Sequence, residues 1–131
     1  MNKNDLIYHD EFYKIKGACI AVRKELGNGF LEKLYENALV IELRDRGFKV
    51  DNQKHFEVYY KDQLIGNYLP DIIVDDKIII ELKCVSEISK THKAQVINYL
   101  KITDFKLGII INFPNDNLGF TIERIPNFIK Q

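Results

Sequence analysis

The sequence predicts an α/β (α+β) fold, a mixed central β-sheet flanked by helices, and three observations predict it. Two long apolar stripes at helical spacing come first, between Asp10 and Arg46. Short β-branched runs bounded by turn residues follow, from His55 to Val85. A further helical segment, Ser89 to Thr103, then separates these runs from two last strand-like runs. That segment allows a crossover, and so parallel as well as antiparallel pairing.

The first helix is expected from Asp10 to Leu26, where Phe12, Ile15, Cys19, Val22 and Leu26 form one stripe, and Gly27-Asn28-Gly29 ends it. The second is expected from Phe30 to Arg46, with Leu31, Leu34, Ala38 and Ile41 in line, Leu39 and Leu43 beside them, and Gly47 suited to its C-terminal cap. His55–Tyr60 and Leu64–Val74 flank Lys61-Asp62-Gln63, and Lys77–Val85 follows, which predicts a three-stranded meander. After the Ser89–Thr103 helix, Lys106–Phe113 and Phe120–Ile125 close the chain around the turn Pro114-Asn115-Asp116-Asn117.

Composition bounds the function classes. A chain of 131 residues, 46% hydrophobic and 29% charged, fits one globular domain over 1–131 with a substantial core. Lys+Arg and Asp+Glu both number 19, so a nucleic-acid surface must be a local patch. Cys19 and Cys84 are too few for a disulfide framework or a metal cluster and read as free thiols in a reducing compartment. There is no apolar run of transmembrane length, and Met1-Asn2-Lys3-Asn4-Asp5 lacks the apolar core of a signal peptide. The expected location is cytoplasmic, with no membrane partner.

The chemistry concentrates on Asp71 and on Glu81-Leu82-Lys83. The runs around Asp75-Asp76-Lys77 read as an antiparallel hairpin. Along its second strand Ile79, Glu81 and Lys83 share one face, and Ile78, Ile80, Leu82 and Cys84 the other. If Asp75, Asp76 and Lys77 form the loop, Val74 opposes Ile78 and Asp71 opposes Glu81, their Cβ atoms roughly 5 Å apart. Two carboxylates so close repel unless a hard divalent cation takes up the charge, and Mg2+ (or Mn2+) suits a site with few carboxylates. An exposed, solvated Glu-x-Lys pair is the bland alternative.

Two further groups carry both readings. Gln95 and Tyr99 are one helical turn apart, with Lys93 and Lys101 nearby, so this face either overlooks the carboxylates or is an ordinary solvated face. His92, in the first turns of the helix, needs no function. With Gly29 as N-cap, Glu32 falls at the third helical position, where an acid caps the helix; it is equally placed to add a carboxylate to the metal shell.

Pro70-Asp71 followed by Glu81-Leu82-Lys83 resembles the PD-(D/E)XK nuclease signature, and the element order is similar to that superfamily's restriction-endonuclease-like αβββαβ core with an extra N-terminal helix. Gln95-Val96-Ile97-Asn98-Tyr99 resembles the Gln-x-x-x-Tyr motif of the RecB-type branch. Gly29-Phe30-Leu31-Glu32-Lys33-Leu34-Tyr35 reproduces the Gly-x-x-Glu-x-x-Tyr (GxxExxY) pattern of a group of small bacterial proteins. The resemblance implies a metal-dependent nuclease acting on nucleic acid, DNA before RNA. In it Asp71 and Glu81 bind the metal, the Leu82 carbonyl is a further ligand, and Lys83 orients or activates the water. Glu32 completes the acidic cluster, and Gln95 and Tyr99 position substrate. The alternative is a catalytically silent module of the same fold that binds nucleic acid, a protein partner or a second copy as a homodimer.

Overall fold

The computed structural model describes residues 7–116 and 119–127. Met1–Asp5 and Asn117, read above, lie outside them. Helices α1 (His9–Leu26) and α2 (Glu32–Asp45) precede β1 (Val50–Asp51), β2 (Phe56–Tyr60), β3 (Gln63–Tyr68), β4 (Ile72–Val74) and β5 (Ile78–Lys83). Then come α3 (Lys90–Thr103), β6 (Leu107–Asn112) and β7 (Thr121–Pro126). Five strands form one sheet in the order β1-β4-β5-β6-β7, and β2-β3 form a separate pair. Only β5 and β6 are parallel among these pairs, joined by α3 as the crossover, so the sheet is mixed as predicted.

Strand parity sorts the core into two layers. Ile78, Ile80 and Leu82 of β5 pack with Ile15, Cys19 and Val22 of α1 and with Tyr35, Leu39 and Leu43 of α2. Ile79 faces the other way, with Val96 and Leu100 of α3 and Tyr68 at the end of β3, against which Phe56 and Val58 of β2 also pack. Gly108 lets α3 approach β6, since a Cβ there would lie 2.6 Å from a methyl of Val96.

Three expectations need correction. Leu64–Val74 is not one strand: it breaks at Leu69-Pro70, where proline lacks an N–H and forces the preceding residue to stay extended. β3 therefore pairs only with β2 while β4 enters the main sheet, and the three-stranded meander does not form. β1 was not expected; it pairs Val50 with Val74, and Lys49 and Asp75 exchange two hydrogen bonds beside it, 2.9 and 2.8 Å long. Helix α2 begins at Glu32, with extended Leu31 as N-cap, and not at Phe30. The cause is Tyr35, whose hydroxyl donates to the Gly27 carbonyl at 2.8 Å and accepts from the Phe30 N–H at 3.3 Å. These bonds hold Gly27 to Phe30 as a non-helical strap.

Candidate active site

The β4–β5 register pairs Val74 with Ile78, Ile73 with Ile79 and Ile72 with Ile80. Continued by one residue, it sets Asp71 opposite Glu81 on the face that Ile79 shares with α3. The loop that fixes this register holds Asp75 and Asp76 at φ 52° and 55°, a left-handed conformation that aspartate tolerates. The Lys77 N–H closes it on the Val74 carbonyl at 3.0 Å.

Asp71 accepts a hydrogen bond from the Leu82 N–H at 2.8 Å, which ties it across to β5. Glu81 is only 8% exposed and accepts a hydrogen bond from the Tyr68 hydroxyl. Burial first, and then the charge of Asp71, push the Glu81 carboxyl up to about 8. Lys83, half-buried at the end of β5, partly offsets this. Glu32 stands exposed at the first position of α2 and makes no side-chain cap, so the capping-box reading fails. Its carboxyl is raised by partial burial, then by Asp71, while Lys83 and the backbone of Cys84 lower it. Asp71 and Lys83 are therefore within electrostatic reach of Glu32.

The crossover helix divides the Gln95/Tyr99 pair. Tyr99 is half-buried and stacks on Tyr68, ring centroids 3.7 Å apart and planes within 16°. The charges of Glu81 and Asp71 raise its phenol after burial does. Gln95, one turn earlier, is exposed. His92 completes a capping box with Ser89, each taking a backbone N–H of the other, which accounts for it structurally. Lys93 pairs with Glu123 at 3.2 Å.

Two residues at the site escaped the sequence reading. Tyr68 carries a weak signal, an aromatic just before Leu-Pro-Asp. Glu36 is buried on α2 one turn after Glu32, held by Lys33 at 2.6 Å, and adds like charge toward Glu32. Beside the carboxylates, a hollow of about 360 Å3 lies over the ends of β6 and β7, between Ser86, Lys93, Asn112 and Thr121. No candidate carboxylate lines it, yet Ile110 on its wall pairs with Glu81 and Asn112 with Lys83, so it borders them on the same face.

The donor set suits a hard divalent cation: oxygen only, with the charge of Asp71 disfavouring that of Glu81. Among the described residues no three His, Cys, Asp or Glu side chains are grouped so that they could hold a metal ion. Asp71 is engaged by Leu82 and Glu81 by Tyr68. A cation here would rest on few protein ligands and keep water or substrate oxygens for the remainder, the habit of Mg2+. No helix among the described residues is long and apolar enough to cross a membrane.

The family model of the PD-(D/E)XK nuclease superfamily matches residues 9–125. No curated protein matches the chain. Among solved structures, the crystal structure of SSO0001 superposes with a TM-score of 0.58 at 18% identity, a likeness of fold alone. The match covers 72% of this chain and 50% of that one, so it spans half of the neighbour's length.

Proposed function

Because the chain belongs to the PD-(D/E)XK nuclease superfamily, we propose that it is a Mg2+- or Mn2+-dependent nuclease hydrolysing phosphodiester bonds, with DNA the expected substrate. We place it with the GxxExxY group and the RecB-type branch, on Gly29, Glu32 and Tyr35 and on Gln95 and Tyr99. The observation that carries the reading is the β4–β5 register, which sets Asp71 across from the buried Glu81 with Lys83 farther along the same face.

In this reading Asp71, Glu81 and the Leu82 carbonyl hold the cation, and Glu32 adds a third carboxylate from the start of α2. When bound, the cation offsets charge on the phosphate oxygens and makes water more acidic. Lys83 brings a compact positive charge to the attacked phosphate and orients the water. Gln95, exposed beside Tyr99, meets the substrate strand, and the hollow over β6 and β7 takes the flanking nucleotide. The test is cleavage of single- and double-stranded DNA and RNA with Mg2+, Mn2+ or chelator. Asp71→Asn and Lys83→Ala should each remove at least a hundredfold of the metal-dependent rate. Chelator-resistant cleavage, or full activity in both variants, would overturn the reading.

A second reading, a silent module of this fold with a protein partner or second copy, is favoured by one observation. Tyr59, Tyr60, Leu64 and Ile65 are each more than half exposed on the β2–β3 pair. It predicts no cleavage under any condition, together with self-association or partner binding that Leu64→Lys abolishes.

A further inference from the structure

The metal-dependent function gives Tyr68 no part, and the resemblance implies that Tyr99 touches substrate. We propose that Tyr68 is a positioning residue of the metal site, holding the Glu81 carboxyl in the pose that binds the cation, and that Tyr99 acts on that site through Tyr68. The proposal rests on the metal-dependent reading above and adds to it a route from α3 to the cation.

Chain order gives the first argument. Tyr68 is the last residue of β3 and stands just before Leu69-Pro70-Asp71. One short segment thus delivers both a candidate ligand, Asp71, and the donor that restrains the other candidate, Glu81. The second is satisfaction: a buried carboxylate needs donors, and the Tyr68 hydroxyl is a side-chain donor to Glu81, beside the backbone N–H of Asp71, which still leaves lone-pair sites for a cation. Such a donor behind a ligand fixes its direction.

Rigidity gives the third. The Tyr68 ring packs against two others, Tyr99 at 3.7 Å and 16° and Phe56 at 6.5 Å and 26°, and Phe105 meets Phe56 edge-on at 6.0 Å. Tyr68 is itself 8% exposed. These contacts and its burial restrain the Tyr68 ring, and with it the direction of its hydroxyl toward Glu81, and Tyr99, on α3, is the ring nearest to it. The α3 tyrosine therefore needs its ring for this role and not its hydroxyl.

Calorimetric Mn2+ titration, a metal-free melt and the KM for single-stranded DNA test this on five proteins: the parent, Tyr68→Phe, Tyr99→Phe, Tyr99→Leu, and Tyr68→Phe with Tyr99→Leu. Tyr68→Phe keeps the stack and should weaken Mn2+ on the order of tenfold, as loss of a donor behind a metal ligand does. Tyr99→Phe should match the parent in Mn2+ affinity and in KM. Tyr99→Leu should weaken Mn2+ as Tyr68→Phe does, and the double variant should be no weaker than Tyr68→Phe alone, because the two act in series. Parent-like Mn2+ binding by Tyr68→Phe overturns the proposal and leaves the nuclease reading intact. A raised KM with unchanged Mn2+ affinity in Tyr99→Phe does the same, since the hydroxyl then touches substrate. A parent that binds no Mn2+ overturns the metal-dependent reading itself.

Discussion

Glu81 sits on a strand whose every other side chain up to Leu82 is a buried aliphatic, and the fold tolerates an acid there by keeping it protonated. Its carboxyl titrates near 4.5 when free and is pushed up to about 8 in the folded, metal-free chain. Between those values the folded state holds a proton that the unfolded state has released. Its contribution to stability is therefore complete below the free value and is lost as pH rises through the folded one. The metal-free melting temperature should fall from about pH 5 to about pH 8, and Glu81→Gln should flatten that fall. A parent profile as flat as the variant's would show that Glu81 ionises freely. Because a cation binds only the ionised carboxylate, added Mn2+ should restore the loss on the alkaline side.

Glu32 makes the complementary case at the start of α2. It makes no side-chain cap, and its raised carboxyl reports partial burial and the charge of Asp71. Glu32→Gln should leave the metal-free melting temperature unchanged or higher, while reducing the Mn2+-dependent rise and any cleavage. A variant that binds Mn2+ and cleaves like the parent would confine the site to Asp71, Glu81 and Lys83. The tyrosine of the same motif has a different part: Tyr35 straps Gly27 to Phe30 and stacks on Phe113 at 4.8 Å, which sets where Glu32 begins its helix.

At the scale of elements, α3 depends on one glycine. A methyl at Gly108 would lie 2.6 Å from Val96, a side chain that is β-branched and so has little rotamer freedom in a helix. Gly108→Ala should cost about 1–3 kcal/mol in denaturant unfolding, the usual range for overpacking. In the Gly108→Ala background Val96→Ala should recover part of that loss, although alone it opens a cavity. Additive losses in the double variant would mean that α3 can move away freely. Such movement should also carry Tyr99 away from Tyr68.

Periodicity made the three helices legible, because each buries one stripe on a sheet. The Asp75-Asp76-Lys77 loop made the β4–β5 register legible, and with it the facing of Asp71 and Glu81. Two residues of β1 are too short to leave a period, and tertiary contacts reveal them, the pairing with β4 and the Lys49–Asp75 exchange beside it. The β3–β4 break did have a signal in Pro70, masked by the apolar run on either side. That same error hid Tyr68: on one continuous strand it would be simply another alternating residue, whereas the break turns β3 back over α3 and points its last side chain at Glu81.

For the molecule as a whole, equal numbers of acidic and basic residues limit how it can hold a polyanion. Near the site, Lys33 is paired with Glu36 and Lys93 with Glu123, so part of the basic charge there is already offset. If roughly three phosphates are neutralised, log affinity should fall with log salt at a slope of about −2 to −3, that is about ten- to hundredfold between 50 and 200 mM. Fluorescence anisotropy of a labelled single strand with the Asp71→Asn variant measures this without cleavage. A loss of a thousandfold or more, as for proteins making 6–10 phosphate contacts, would mean that a basic surface gathers around the strand after all. A shallow slope would place affinity in the hollow and in the metal site, so that binding should weaken when divalent ions are withdrawn from the parent and change little in Asp71→Asn.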